Sequence, residues 1–449
     1  MAKKQIILGA QFPGVNNFTV WSDPAAGSQI EFSSFQHFAQ SVERGKFDFI
    51  FLAEGLRLRE QKGRFHELDV AGRPNTLAIL TALASITQHV GLIGTLTTTF
   101  NEPYALARQL ATLDSLSGGR SGWNVVTSPG AFTGANFTGA NFRRGDHLPF
   151  KERYERARAF IEISRAVWAG EDFTHHTKHF DIAGRSSLAP LPQGAPVIAQ
   201  AGDSEEGREL AASHADVIYS RHGTLEAGQA FYKDVKSRLA KYGRKPDALK
   251  ILPGANFIIG DSLEDAQDKL RAIRLQQLSP KTAIVFLEQV WNRDLSSYDP
   301  DGPLPSIEPD TAEEKLAQGR ANNLDAKGRL ETAQQWREIA ERDHLSIREL
   351  IIRVTARQHF IGTPQTIADD IDLYVQSDAA DGFVFAPHIT PGGFDTFVEK
   401  VIPILQEKGV FRTDYAEDSL RARLNLPLSE NAASNTVGTT RETIAALRA

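Results

Sequence analysis

The sequence predicts a (β/α)8 barrel, an α/β fold of the TIM-barrel type carrying insertions. Eight short apolar runs recur along the 449 residues, and they are too uniformly apolar to alternate. That is the pattern of parallel strands covered on both faces. A segment of helical period follows each run, so β and α units alternate through most of the chain. No G-x-G-x-x-G follows the first run, which leaves an open doubly wound sheet without its usual support.

Residues 6–12 make the first strand. A loop rich in Gly, Asn and Pro runs to about residue 30, then helical spacing begins over 35–44. Residues 47–53 (FDFIFLA) make the second strand, which ends in Glu54-Gly55. After a polar stretch, 57–74, the helix 76–87 aligns Leu77, Leu80, Leu83 and Ala84. The third strand, 90–96, ends in Thr97-Thr98-Thr99. Pro103 opens the next helix at its first turn, where a missing N–H goes unnoticed. Ser117-Gly118-Gly119 stops that helix, because glycine accepts the left-handed geometry of a C-terminal cap. Strand four, 123–126, follows at once and ends in Thr127-Ser128. A long helix covers 152–168. Strand five, 196–201 (PVIAQA), leads through Gly202-Asp203-Ser204 into a helix reaching Ala212. Strands six (216–220) and seven (251–259) are followed by helices over 225–242 and 263–275. The eighth unit is the strand 381–385 with a helix over 394–406.

Three insertions interrupt a single domain of residues 1–425. Residues 129–149, after strand four, are glycine-rich and repeat Thr-Gly-Ala-Asn-Phe at 133–137 and 138–142. They read as a duplicated loop or as a lid over the catalytic face. Residues 173–191, before strand five, read as a small hairpin. Residues 278–357, between units seven and eight, are polar and helix-prone. Residues 426–449 read as a mobile tail.

Composition excludes several classes. With 41% hydrophobic and 24% charged residues, a large ordinary core forms and global disorder is excluded. A net charge of −6 argues against nucleic acid as main partner. No apolar run approaches the roughly 18 residues of a membrane span. The N-terminus enters a strand with no signal-peptide core, so a cytoplasmic location is expected. Cysteine is absent, which removes disulfides, thiolate metal sites and a thiol nucleophile.

The chemistry collects at strand ends. Glu54, Thr97 to Thr99 with Asn101, Asn124 with Thr127 and Ser128, and Gly202 to Ser204 all sit at or just after barrel strands, so they converge on one mouth. The set is hydrogen-bonding and mostly neutral. It suits a site that positions a cofactor, and its hydroxyls suit a phosphate. Glu54 reads equally as a solvated or ion-paired carboxylate. His175, His176 and His179 read as a polar hairpin cluster, since no carboxylate stands at a known ligand spacing. G-x-S-x-G, H-E-x-x-H and a Gly-rich phosphate loop are absent. No catalytic residue and no metal ligand is assigned. Phe12, Trp21, Phe51 and Phe100 could wall a hydrophobic pocket, though aromatics at such positions are more often core.

The run LSGGRSGWNVVTS, with NEPYALARQLATLD before it and ERYERA after it, resembles the bacterial-luciferase-like flavin monooxygenases. More narrowly, it is similar to their nitrilotriacetate, dibenzothiophene-sulfone and long-chain-alkane monooxygenase branch. ERGKFDFIFLAEG, PVIAQAGDSEEGRELAASHAD, YGRKPD, FIGTP, AADGF and PGGFDTFVEKVIPILQEKGVFRTDY extend the likeness over about residues 6–424. The resemblance implies a homodimer or homotetramer. It implies reduced FMN supplied by a separate NAD(P)H-dependent flavin reductase, with molecular oxygen as co-substrate. It places Glu54 beside the flavin ring, Thr98 and Asn124 at the ring's polar edge, and Ser128, Tyr154, Gly202 and Ser204 at the phosphate.

Departures fall on the substrate side. Pro129 stands where alkane-oxidising relatives have a histidine, and the 129–149 insertion is long. The likeness extends to Bacillus-type members associated with sulfur-containing amino-acid derivatives, such as alkylated or succinylated cysteine. A small sulfur- or nitrogen-containing substrate with C–S or C–N cleavage is therefore expected. Arg57, Arg59, Arg143 and Arg144 are candidates for a substrate carboxylate. A deazaflavin-dependent oxidoreductase of the same fold, a silent flavin-binding protein and a barrel metallohydrolase stay open.

Overall fold

The computed structural model describes residues 3–12, 19–56, 69–128, 148–312, 324–356 and 359–427, with parts of 58–67 and 134–140. Eight parallel strands close on themselves. They are β1 (Ile7–Gln11), β2 (Phe49–Leu52), β3 (Gly91–Thr97), β4 (Ser121–Val126), β7 (Val197–Ala201), β8 (Val217–Ser220), β9 (Lys250–Ile259) and β11 (Gly382–Phe385). Each pairs with the next, and the β1–β11 pairing completes the ring. The hairpin β5 (Asp172–His176) and β6 (Asp181–Arg185) stands apart, where the 173–191 insertion was expected.

Register sorts the side chains. Gly9 pairs with Phe49, Phe49 with Gly91, Ile93 with Gly122, and Thr95 with Asn124. One parity therefore faces inward, and Ile7, Phe49, Phe51, Ile93, Val197, Val217, Leu252 and Val384 form one inner cluster. Small residues make room for large ones. A Cβ on Gly9 would stand 2.5 Å from the Phe49 ring. The other parity meets the surrounding helices: α1 (Phe32–Arg44), α2 (Thr76–Ala84), α3 (Pro103–Ser117), α4 (Phe150–Ala169), α5 (Glu205–His214), α6 (Leu225–Arg238) and α7 (Leu263–Gln277). Trp123 is the clearest outward case. It packs on Phe160 and Trp168, and its Nε1–H donates to the Leu96 carbonyl at 3.0 Å. The cap at Gly118 forms as expected, with φ of +68° and the Gly119 N–H donating to Asp114 O at 2.8 Å.

The N-terminal end of the barrel is plugged by the chain's own C-terminal segment. Leu420, Leu424 and Leu426 join the inner cluster, each burial being worth about 2 kcal/mol. Arg421 donates to Asp216 at 2.8 Å, ahead of β8, and Arg412 pairs with Asp48 at 2.7 Å, ahead of β2. With that end closed, the mouth at the strands' C-terminal ends is the face left for ligands.

Four features depart from the sequence expectation. The 278–357 insertion is more than a polar excursion. Its helices α8 (Pro280–Trp291), α9 (Ala326–Asp343) and α10 (Ile347–Val354) enclose a core containing Leu287, Val290, Trp291, Ile347 and Ile351. Next, β10 (His359–Gly362) pairs with the far half of β9, and α11 (Pro364–Gln376) follows it; neither was assigned. The signal was present in Thr363-Pro364, a cap and a first-turn proline, with Ile367 and Ile371 at helical spacing. The last helix breaks into α12 (Asp395–Lys400) and α13 (Ile402–Glu407), because Pro403 has no N–H to continue the ladder. Finally, Phe12 is outer core, stacked on Phe35 with ring centroids 4.2 Å apart. Phe51 does face the interior, where it stacks on Tyr219.

The two Thr-Gly-Ala-Asn-Phe copies pair with each other, antiparallel, through Gly134–Ala135 and Gly139–Ala140. The rest of 129–147, with Arg143 and Arg144, lies outside the described residues, as do Arg57 and Arg59.

Candidate active site

Asn124 takes the inward parity of β4, in direct register with Thr95 of β3 and Ala199 of β7. Its Nδ2 donates to Thr95 Oγ1 at 3.0 Å. Its Oδ1 is buried and has no partner. A buried acceptor without a donor is costly, so this atom marks a place for a ligand's N–H or a water.

Three residues gather past the end of β7. The Tyr154 hydroxyl, from the first turns of α4, lies 3.5 Å from Ser204 Oγ. Ser204 caps α5, accepting the Gly207 N–H at 3.1 Å. Gly202 is crowded, and its lack of a side chain is what lets its neighbours close in. A Cβ there would stand 2.7 Å from Gln200 Nε2 and 3.4 Å from Tyr154 Oη. Ser128 follows β4, and its carbonyl accepts from Thr99 Oγ1 at 3.2 Å. A helix start with free N–H groups beside two hydroxyls is a setting for an anion. Glu205 would oppose one, but Arg238 holds its carboxylate through contacts of 2.5 and 2.9 Å.

Glu54 and Thr98 are placed differently. Glu54 Oε1 accepts the Thr76 N–H at 3.4 Å, at the start of α2. It lines a cleft of about 500 Å3 between α2 and α3, with Leu77, Thr81, Asn101, Leu106 and Gln109. Burial pushes its carboxyl above the ordinary range, while the Thr76 bonds and the Arg73 charge pull the other way. Thr98 is fully buried, and both its N–H and its hydroxyl donate to Val126 O, at 3.0 and 3.2 Å. Its side chain joins two strands and keeps no donor for a ligand.

Sequence reasoning missed several groups. Arg153, one residue before Tyr154, reaches Thr127 O at 2.8 Å and keeps its Nε buried without a partner. Its signal was its place beside Tyr154 in ERYERA. Arg156 ties Thr98 O and Asn101 O to α4, at 2.9 and 3.1 Å. At the end of β8, Ser220 Oγ and His222 Nε2 lie 2.9 Å apart, both buried. Burial first, then the Arg208 charge, pushes His222 down to about 4, so it is neutral at pH 7. Nothing local in the sequence separates these from ordinary loop residues. In the hairpin, His176 meets Asp181 at 2.6 Å, both exposed. Among the described residues no group of three or more His, Cys, Asp or Glu could hold a metal, and no helix there is long and apolar enough to cross a membrane.

A closed barrel with neutral hydrogen-bonding groups and an anion-suited helix start at its mouth has the form of a cofactor-using oxidoreductase barrel. Residues 15–381 match the family model described as luciferase-like monooxygenase, and the chain belongs to that family. It is a flavin-dependent monooxygenase. It is 37% identical to N-acetyl-S-(2-succino)cysteine monooxygenase of Bacillus subtilis, over 94% of this chain and 97% of that protein. It is 36% identical to nitrilotriacetate monooxygenase component A of Aminobacter aminovorans, over 96% and 98%. Among solved structures, a riboflavin lyase with modified FMN and riboflavin superposes with a TM-score of 0.75 at 25% identity, over 96% and 99%.

Proposed function

We propose that this chain is the oxygenating component of a two-component system. It takes reduced FMN from a separate NAD(P)H-dependent flavin reductase and oxygenates a small sulfur- or nitrogen-containing organic substrate, cleaving a C–S or C–N bond. The carrying observation is the unpartnered, buried Asn124 Oδ1 on β4, next to β7, whose end leads into the Tyr154–Ser204–Gly202 group. The residues fit the cofactor. Asn124 offers an acceptor to an imide N–H of the ring. Gly202, with no side chain, presents bare backbone next to Tyr154, and Ser128, Tyr154 and Ser204 supply hydroxyls to the phosphate. Arg153 adds the charge that a phosphate dianion needs. Thr98 acts through the β3–β4 junction, and Glu54 borders the site from the α2 start. Bound reduced flavin supplies the electrons that activate oxygen.

The substrate class rests on the likeness to the succinocysteine and nitrilotriacetate enzymes. Assembly as a homodimer or homotetramer belongs to the same reading and is tested by light scattering. Cytoplasmic location likewise belongs to it.

The test is anaerobic titration with dithionite-reduced and oxidised FMN, then admission of 18O2 with an N-acetyl-S-alkylcysteine. Tighter binding of the reduced form, and one labelled oxygen in the product, is the expected result. Failure to bind either form overturns the cofactor assignment. Binding without labelled product overturns the substrate class.

A further inference from the structure

We infer that the loops following β1 and β11 form a pocket for a neutral amide group of the substrate, an inference that rests on the monooxygenase reading of the mouth. The two loops are strapped together. The Val20 N–H donates to His388 O at 2.7 Å, and the Gly27 N–H to Thr390 O at 2.6 Å. Five of their side chains carry buried polar atoms without a hydrogen-bond partner: Thr19 Oγ1, Trp21 Nε1, both amide atoms of Gln29, His388 Nδ1 and Thr390 Oγ1. Thr19 and Thr390 are 1% exposed and Gln29 is 3% exposed. One orphaned group is a packing accident or a water site. Five residues with orphans on two strapped loops are a built set of donors and acceptors.

The chemistry of the set selects the ligand. From residue 13 to 30 and from 386 to 391 the sequence holds no Lys or Arg, and Asp23 is the one charged residue in those two stretches. Burial lowers His388 below its ordinary range, with Asp23 opposing, so it stays neutral at pH 7. A carboxylate here would meet Asp23, and these two loops offer it no Lys or Arg. The Gln29 carboxamide offers an acceptor and a donor side by side, which is the complement of a C=O and N–H on one ligand. Trp21 adds a donor, and the two threonines add either.

Position adds to this. Around the barrel β1 and β11 are neighbours, and they stand opposite β7 and β4, which carry Gly202 and Asn124. The orphaned set and the proposed cofactor groups thus face each other across the mouth. A substrate held by its amide on one side would present its other end toward the flavin.

The probes are N-acetyl-S-methylcysteine and 2-acetoxy-3-(methylsulfanyl)propanoate, the ester that keeps the carbonyl and loses the N–H. Both are titrated calorimetrically into wild type, Gln29→Leu and Thr390→Val, with oxidised FMN titrated separately. Wild type should prefer the amide about tenfold, the worth of one hydrogen bond. Gln29→Leu should erase that preference and leave FMN affinity within about twofold. Thr390→Val, a near-isosteric change, should weaken the amide in the same direction if Gln29→Leu does not fold. Equal affinity for the two probes, no binding of either, or an equal loss of FMN in the variants overturns the inference. Wild type that fails to bind FMN yet keeps the amide preference would instead overturn the cofactor reading.

Discussion

Asn124 donates its amide to the Thr95 hydroxyl at 3.0 Å and leaves its own carbonyl oxygen unpaired inside the barrel. The bond fixes the side chain's orientation, so the free acceptor is aimed before any ligand arrives. Such preorganisation costs stability in the empty protein and favours binding.

Asn124→Leu should therefore weaken FMN about tenfold, the worth of one hydrogen bond, with the melting temperature nearly unchanged. Flavin fluorescence quenching and thermal melts measure the two. An unchanged FMN affinity would remove Asn124 from the site.

Ser128→Ala combined with Tyr154→Phe removes two hydroxyls without disturbing the Ser204 cap of α5. FMN affinity should fall much more than riboflavin affinity, because only FMN carries the phosphate. Parallel titrations decide it, and equal losses would sink the phosphate assignment. Arg153→Met should add to the FMN loss alone.

Arg421→Met strands Asp216 at the plugged end of the barrel. Burial pushes the Asp216 carboxyl up, but Arg421 and Arg165 together hold it below the ordinary range. Removing one partner of a buried pair costs about 3–5 kcal/mol. The wild-type contribution is present above the unfolded carboxyl value and is lost as pH falls through the lower folded one. Urea melts at pH 7 and pH 3 should show a large deficit in the variant at pH 7 and a smaller one at pH 3. Equal deficits would mean that the pair's charge contributes nothing.

Glu54 has the opposite sign. Its folded carboxyl is raised from the ordinary 4.5, so the folded protein holds that proton to higher pH than the unfolded chain. Stability falls as pH rises through that window. Glu54→Gln keeps an acceptor for the Thr76 N–H and should gain on wild type as pH moves from 4 to 7. Thermal midpoints across that range test it. A constant difference would show that burial does not govern this group.

Much of the fold was legible in the chain. The uniformly apolar runs gave every barrel strand within a few residues, because a strand buried on both faces has little freedom in composition. Ser117-Gly118-Gly119 announced its cap, since only glycine takes that geometry cheaply. The β10 strand was harder, being four residues long and paired only with the far half of β9. The insertion's core was masked by the charged outer faces of its helices, while Trp291 and Trp336 meet across a fold that period alone does not reveal.

The sequence by itself determined the repeating β-α units, the breaks between them and which polar residues stand at strand ends, because these depend on neighbours within a few positions. Only the tertiary structure decided which of those polar groups are free. Thr98 and Asn124 look alike in the chain, yet Val126 consumes the Thr98 hydroxyl while Asn124 keeps an unpaired acceptor. The orphaned set on the β1 and β11 loops was invisible for the same reason, its two halves lying more than 350 residues apart. Hydrogen-bond satisfaction is a property of spatial neighbours, and the closure of the barrel sets who those neighbours are.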